Sequence, residues 1–456
     1  MTVHKPFETC VVVGLGYIGL PTSVVIARAG INVVGVDINT RTVDAVRAGR
    51  CPIEEPHLPE ALAAQVANGR IIAQTMPALG DVFIIAVPTP FTGGYKPDLA
   101  YVEAATRAIA PVLRPGNLVI VESTIPVGAT ELVARWIEDE RGDLICPQRG
   151  SDFEPDIYVA HCPERVLPGQ MLRELVENDR IVGGLCPSSG QRVQEFYQQF
   201  VSGRCHLTDA RTAELCKLSE NSFRDVNIAF ANELADICEE FEIDAGELIA
   251  LANHHPRVKI LQPGPGVGGH CIAVDPWFIV SAVGEKARLI REARWINSER
   301  PRQVVRKVLD KVAAGGIRSI GCFGLSYKPD VDDLRESPAV EVVAHLAKEL
   351  YLSGEDIEIR VVEPYIDELP KELRGARGVR LVDQECALAS DAILMLVNHK
   401  QFCEIPASRV ERKAVVDTRG VWRSRALAQR PRVKLATLNA RSEARIAARA
   451  AASLSP

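Results

Sequence analysis

Several features that would place a protein quickly are missing from this 456-residue sequence. None of its twelve cysteines, from Cys10 to Cys403, stands in C-x-x-C spacing. A zinc ribbon or a thioredoxin-type pair therefore has no support, and no metal is expected. Nothing argues for an oxidising compartment, so the cysteines read as reduced thiols, mostly small core residues. No apolar run is long enough to span a bilayer. Residues 10–27 come closest: they carry no charge, follow Lys5 and end in Ala27-Arg28-Ala29, which mimics a cleavage site. Gly14, Gly16, Gly19 and Pro21 argue against both a signal peptide and a membrane span. A cytoplasmic protein without membrane contact is expected. There is also no excess of one charge. With 53 basic and 59 acidic residues the net charge is −6, so no global field favours nucleic acid or an anionic membrane. At 47% apolar and 25% charged, the chain is not disordered, collagen-like or a simple coiled coil, and its length suggests about three domains.

What is present is an alternation of short apolar runs with helical stretches. The runs 10–13, 33–36, 82–87 and 118–122 read as strands, and 41–47 and 101–113 as helices. This rhythm predicts a parallel sheet with helices on both faces. Residues 212–241 read as one long helix, with Phe223, Val226, Phe230, Leu234, Ile237 and Phe241 forming an apolar stripe. Lys217, Asn221 and Arg224 fall roughly opposite. A second helix is expected over 287–312, and strands resume at 319–323, 357–362, 392–397 and 414–417. The fold class is thus α/β: two Rossmann-like parallel-sheet domains joined by a helical central domain with a long helix. The expected boundaries are 1–210, 211–315 and 316–440, followed by an Ala/Arg-rich tail at 441–456. A helix linking two domains has little core to cover its stripe, so a homodimer through the central helices is expected.

Two segments carry chemistry. Gly14-Leu15-Gly16-Tyr17-Ile18-Gly19 matches G-x-G-x-x-G, follows a strand, opens a helix, and has Asp37 at the end of the next strand. That context is the dinucleotide-binding fingerprint. The helix N-terminus suits a pyrophosphate, and Asp37 suits a ribose diol, which favours NAD over NADP. Arg41 nearby could instead meet a 2′-phosphate. Thr89 and Thr124 sit in turns after two further strands, where a cofactor or a catalytic water would lie.

The second segment, residues 263–271, is dense in glycine and delivers a thiol at its end, Cys271, with Asp275 four residues on. A thiolate beside a nicotinamide site can capture an aldehyde as a thiohemiacetal. Loss of a second hydride then gives a thioester that water hydrolyses. Lys217 and Asn221 suit acid/base and oxyanion roles, since desolvation favours a neutral lysine. The competing reading of Lys217 is a plain surface lysine.

Taken together, residues 14–21, 87–90, 122–124, 163–165, 217–221, 266–275, 323–337 and 417–420 resemble the UDP-glucose/GDP-mannose dehydrogenase family, over about residues 10–422. The resemblance implies twofold oxidation at C6 of a UDP-sugar with NAD, for cell-surface polysaccharide synthesis. Longer matches at 162–169, 220–234, 255–258 and 270–278 favour UDP-N-acetyl-D-mannosamine as the sugar. UDP-N-acetylglucosamine and UDP-glucose remain alternatives. A catalytically dead nucleotide-sugar sensor on the same fold is the rival from another class. By the same resemblance Cys271 is the nucleophile, Lys217 the acid/base and Asn221 an oxyanion or substrate ligand. Asp275 helps activate water, Glu164 supports proton transfer, and Thr124 serves catalysis and cofactor. Arg165, Val166, Arg224, His255, Arg257 and Gly268 correspond to substrate contacts. Lys328 and Arg335 form a basic pair reaching nucleotide-sugar and cofactor. Gly14, Gly16, Tyr17, Ile18, Gly19, Asp37 and Thr89 correspond to cofactor contacts.

Overall fold

The computed structural model describes residues 7–269 and 271–422, so the expected tail at 441–456 and the end of the segment 316–440 lie outside the described residues. The chain divides into two compact units. One runs to Phe230 and includes Val267–Ser298; the other comprises Ala231–Gly266 and the residues from Glu299.

The first unit holds β1 (Thr9–Val13), β2 (Asn32–Val36), β3 (Ile71–Gln74), β4 (Val82–Ile85), the short hairpin β5 (Phe91–Thr92) and β6 (Lys96–Pro97), β7 (Leu118–Val121), β8 (Tyr158–His161), β9 (Arg180–Gly184) and β10 (Cys205–Asp209). Eight of these form one sheet in the order β10-β9-β8-β7-β4-β1-β2-β3. Alternate residues of its strands enter two separate cores. Val12, Val33, Ile84 and Ile120 pack on one face, and Val11, Val34, Phe83 and Val119 on the other. Burial on both faces is why these strands read as unbroken apolar runs.

The strands read from sequence pair parallel, as expected, and beyond them β8 and β9 pair antiparallel. No long crossover joins them. The chain leaves β8, passes through the seven-residue helix Met171–Glu177, and re-enters at the end it left. Segment 162–179 is thereby kept at the carboxyl ends of β1, β4 and β7, where ligands bind in sheets of this kind.

The long helix spans Ala210–Glu240 and a second spans Arg288–Ala313. Among the described residues most of the apolar stripe of the first is left open, with Val226 and Leu234 half-buried. Phe223 is 66% exposed and Phe230 50%, with Ile237 and Phe241 similarly open. The buried face carries Leu218, Asn221, Ser222, Asp225, Ala229 and Asn232 instead. Apart from Leu218, which packs with Val274 and Phe278, these side chains are small or can hydrogen-bond, so the helix can be approached closely on that side.

The second unit contains β11 (Ser319–Phe323), β12 (Glu358–Val362), β13 (Val379–Leu381), β14 (Ala392–Met395) and β15 (Ala414–Asp417), all parallel, in the order β13-β12-β11-β14-β15. The turn after its first strand repeats that of the first unit. Gly14 has φ +98° and donates its N–H to Val36 O at 2.8 Å. Gly324 has φ +91° and donates to Val362 O at 2.9 Å. A Cβ on Gly14 would lie 2.4 Å from Ala86 O, and one on Gly324 2.4 Å from Val397 Cβ.

Gly324→Ala therefore adds overpacking to left-handed strain, together about 2–4 kcal/mol. Gly354→Ala, at φ +73° but facing open space, should cost only the strain, about 1 kcal/mol. Scanning calorimetry should show the first melting well below the second; equal melting temperatures would contradict this account of the turn.

Candidate active site

The glycine turn of the first unit has the form a bound dinucleotide needs. Gly19 cannot carry a side chain, since its Cβ would lie 1.8 Å from Gly14 O. Gly16 faces open space, with nothing within 4 Å of where a Cβ would stand. The helix Gly19–Arg28 follows at once with no acidic residue in its first turn, so its N–H groups and positive dipole end are not countered. Asp37, half-buried at the end of β2, accepts Leu15 N–H at 2.9 Å on one oxygen and Asn39 N–H at 2.8 Å on the other. Each oxygen keeps a lone pair, which suits the two hydroxyls of a ribose. Tyr17 and Ile18 are at the rim, exposed and half-buried. Arg41 stands in the first turn of the helix Thr40–Arg47, its N–H bonded to the Asn39 cap. These residues fit NAD.

Two strand-end loops are laced together beside that turn. Thr89 Oγ1 donates to Thr124 O at 2.6 Å. Ser123 Oγ accepts Val87 N–H at 2.9 Å and donates to Val87 O at 2.7 Å. Beneath them Glu122 is fully buried, accepting Tyr197 OH at 2.6 Å and Thr22 Oγ1 at 3.3 Å. Burial pushes its carboxyl up, against the charge of Arg180 and the Tyr197 hydrogen bond. The Arg180 guanidinium is shared, 4.0 Å from Glu122 and 3.7 Å from Glu164. Glu164 is buried, and its other oxygen accepts Val166 N–H. Glu122 was given no role from sequence, although a carboxylate ending an otherwise apolar strand is a usable signal.

Of the twelve cysteines, all among the described residues, Cys271 alone is exposed. Its carbonyl accepts Val274 N–H at 3.1 Å and Asp275 N–H at 2.8 Å, which folds 271–275 into a turn leading into the helix Asp275–Val283. Asp275 is 3% exposed and accepts Asn221 Nδ2 at 2.5 Å. Burial pushes its carboxyl up to about 6; the Lys217 charge and the Asn221 bond pull the other way. Lys217, half-buried one turn before Asn221, makes no ion pair within 4 Å among the described residues. Beside it is a residue the sequence did not flag. His161 Nδ1–H donates to Val121 O at 2.8 Å, and burial, aided by the Lys217 charge, drops its pKa to about 3, keeping it neutral.

The remaining residues are placed as follows. Arg165 grips Glu220 with Nη2 at 2.6 Å and Nε at 3.1 Å. Arg224 is exposed on the long helix and Gly268 half-buried. The hairpin β5–β6, just after Thr89, stacks Tyr95 on Trp277 with ring centroids 4.1 Å apart. His255, Arg257, Lys328 and Arg335 belong to the second unit. His255 and Arg257 are exposed, Lys328 is half-buried, and Arg335 is bound by Asp333 of its own loop at 2.6 and 2.8 Å. Among the described residues no cluster of three or more His, Cys, Asp or Glu is arranged to hold a metal, and no helix is long and apolar enough to cross a membrane.

Comparison with known proteins divides the chain in three, with the central match running through residues of both units. Residues 8–201, 211–299 and 321–424 match the NAD binding, central and UDP binding domains of the UDP-glucose/GDP-mannose dehydrogenase family. An NDP-N-acetyl-D-galactosaminuronic acid dehydrogenase of Ralstonia nicotianae is 53% identical over 92% of this chain and 98% of its own. The UDP-N-acetyl-D-mannosamine dehydrogenase of Escherichia coli K12 is 51% identical over 91% of this chain and 100% of its own. The solved UDP-N-acetyl-mannosamine dehydrogenase of Staphylococcus aureus is similar with a TM-score of 0.77 at 42% identity, covering 91% and 95% of the two chains.

The raised pKa of Asp275 has a signed consequence. A carboxyl that holds its proton more tightly when folded adds stability below its ordinary range near 4, and loses it as pH rises through about 6. Asp275→Asn should thus match the parent at pH 4 and be more stable at pH 7.5, by about 1–3 kcal/mol. Calorimetry at both pH values checks this. A variant less stable at pH 7.5 would show that Lys217 and Asn221 outweigh the burial.

Proposed function

The chain belongs to the UDP-glucose/GDP-mannose dehydrogenase family of NAD-dependent enzymes, and from that premise we propose that it oxidises C6 of UDP-N-acetyl-D-mannosamine twice, to the mannosaminuronate. The observation that most supports this reading is the first unit's own grouping. A single exposed thiol stands one turn before Asp275, which is bonded to Asn221 beside Lys217, in the unit that carries the glycine turn and Asp37.

When bound, NAD accepts the hydride released at each oxidation. The chain's residues do the rest. Lys217, supported by Glu164, takes the C6 hydroxyl proton. Cys271 Sγ then adds to the resulting aldehyde carbon, forming the C–S bond of a thiohemiacetal whose oxygen is held by Asn221 and Lys217. After the second oxidation the carbon is a thioester. Asp275, whose pKa near 6 leaves it ionised at neutral pH, draws a proton from the attacking water. C–S cleavage returns the thiolate and leaves the carboxylate. Thr89 and Thr124 shape the nicotinamide side. Arg165, Val166, Arg224, His255, Arg257, Gly268 and Lys328 contact the substrate, and Arg335 the cofactor. Asp37 repels a 2′-phosphate and so selects NAD.

We place the enzyme in the cytoplasm, in keeping with twelve cysteines of which none forms a disulfide, and in the supply of uronates for a cell-surface polysaccharide. The relatives carry two different sugar names, so the sugar is decided by turnover. UDP-N-acetyl-D-mannosamine should give the highest kcat/KM among the N-acetylmannosamine, N-acetylgalactosamine, N-acetylglucosamine and glucose forms, with two NADH per acid. Higher kcat/KM with another sugar would replace the substrate. Cys271→Ala should abolish acid formation while NAD still binds, and normal turnover in that variant would end the covalent reading.

We further propose a homodimer through the long helices, supported by the open stripe of Phe223, Phe230, Ile237 and Phe241. Light scattering at low micromolar concentration should give twice the 49.7 kDa chain mass, and Phe230→Asp, with native circular dichroism, should weaken it. A fully active monomer would sink the idea.

A further inference from the structure

Asp225 lies one turn beyond Asn221 on the long helix and is completely buried. Its Oδ1 accepts Arg294 Nη1 at 2.7 Å and Asn297 Nδ2 at 2.9 Å. Asn297 Nδ2 also donates to Asp225 O at 2.9 Å. Arg294 and Asn297 are a turn apart on the helix Arg288–Ala313, and both are buried. Arg294 does more than pair with the acid. Its Nη1 also reaches Ile272 O at 3.3 Å, and its Nη2 reaches Ser298 Oγ at 3.2 Å. Ile272 is the residue directly after Cys271.

Stability alone explains this arrangement poorly. A buried ion pair seldom outperforms well-packed apolar residues of the same volume, and does so only when every polar atom is satisfied. Here Asp225 Oδ2 and Arg294 Nε find no partner among the described residues. Burial pushes the Asp225 carboxyl up to about 6 and pulls Arg294 below its usual range, the effect expected when desolvation exceeds the mutual attraction. What the pair provides is a fixed point. One planar guanidinium joins the helix that carries Lys217 and Asn221 to the peptide that carries the thiol. Farther along the same segment, Trp277 is held by the Tyr95 stack, so the turn 271–275 is fastened on both sides.

We propose that Arg294, set by Asp225 and Asn297, is a positioning residue that holds the Ile272 carbonyl and thereby fixes the Cys271 thiol relative to Lys217 and Asn221. Its catalytic meaning rests on Cys271 being the nucleophile; its structural meaning does not. The neutral pair Asp225→Asn/Arg294→Gln avoids stranding a buried charge. Arg294→Lys keeps a charge opposite Asp225 but cannot present the planar fork to Asp225, Ile272 and Ser298 together.

The test compares full-length parent and variants by thermal melting, by kcat and KM, and by the rate at which iodoacetamide alkylates Cys271, followed by mass spectrometry without substrate. In the folded neutral-pair variant kcat should fall roughly ten- to a hundredfold with KM nearly unchanged, as for a displaced reacting group. Alkylation should slow by about threefold or more as the thiol leaves the approach to its helix N-terminus. Arg294→Lys should show smaller losses of the same kind, and it decides the matter if the neutral pair fails to fold. A folded variant with parental kcat and alkylation rate, whatever its melting temperature, overturns the proposal. Should Cys271→Ala prove active, the nucleophile reading falls, but the alkylation rate still reports whether Arg294 holds the thiol.

Discussion

The arrangement of both sheets depends on one small interaction, a backbone N–H given to a carboxylate at the end of the neighbouring strand. Leu15 N–H meets Asp37 at 2.9 Å, and Leu325 N–H meets Glu363 at 2.7 Å. Each bond closes a turn opened by a glycine at positive φ, and each brings a helix start or a loop over the carboxyl ends of the strands. The two acids then differ. Asp37 is half-buried and holds one N–H per oxygen, with room left for a diol. Glu363 is buried, with Leu325 N–H, Ser326 N–H and His399 Nε2 on one oxygen and Tyr365 N–H on the other. The same turn is thus left open toward a ligand in one unit and sealed in the other. Sealing fits a site matched by a UDP binding domain rather than a dinucleotide domain.

In the second unit the seal extends into the loop that bears Lys328. Asp330 sits in the left-handed region at φ +61°, an uncommon place for a non-glycine residue. Three anchors keep it there. Its N–H donates to His399 Nδ1 at 2.9 Å, and its Oδ1 accepts Lys400 N–H at 3.0 Å and Tyr365 OH at 3.4 Å. A loop this tightly fastened presents its basic residues in a defined place, so less order is lost when a diphosphate binds.

The sequence made the central strands legible because burial on both faces turns them into unbroken apolar runs; β1, β2, β11 and β15 lie within a residue or so of their expected spans. The strands that went unread have less of that signal. β3 and β10 are sheet edges, with Ile72 and Leu207 exposed, and β8 emerges from a Pro/Gly/Asp-rich stretch that reads as loop. At the site, spacing alone could place Lys217 and Asn221 on one helix face. It could not bring Asp275, 54 residues away, to Asn221; only resemblance to a family suggested that grouping. Asp225 and Arg294 were invisible for a plainer reason. A charged residue on a helix reads as solvated until its partner is known, and here the partner is 69 residues distant.

The distribution of thiols also sets how the protein meets oxidants. Burial pushes Cys146, Cys162 and Cys322 up to about 12 and raises Cys10 as well, so these sulfurs stay protonated and out of reach. Cys271 is exposed at the approach to a helix N-terminus, the setting in which peroxide forms a sulfenic acid first. Return of that sulfenic acid to the thiol consumes a reducing thiol. Under the proposed covalent mechanism, turnover is then tied to the redox state of a single atom.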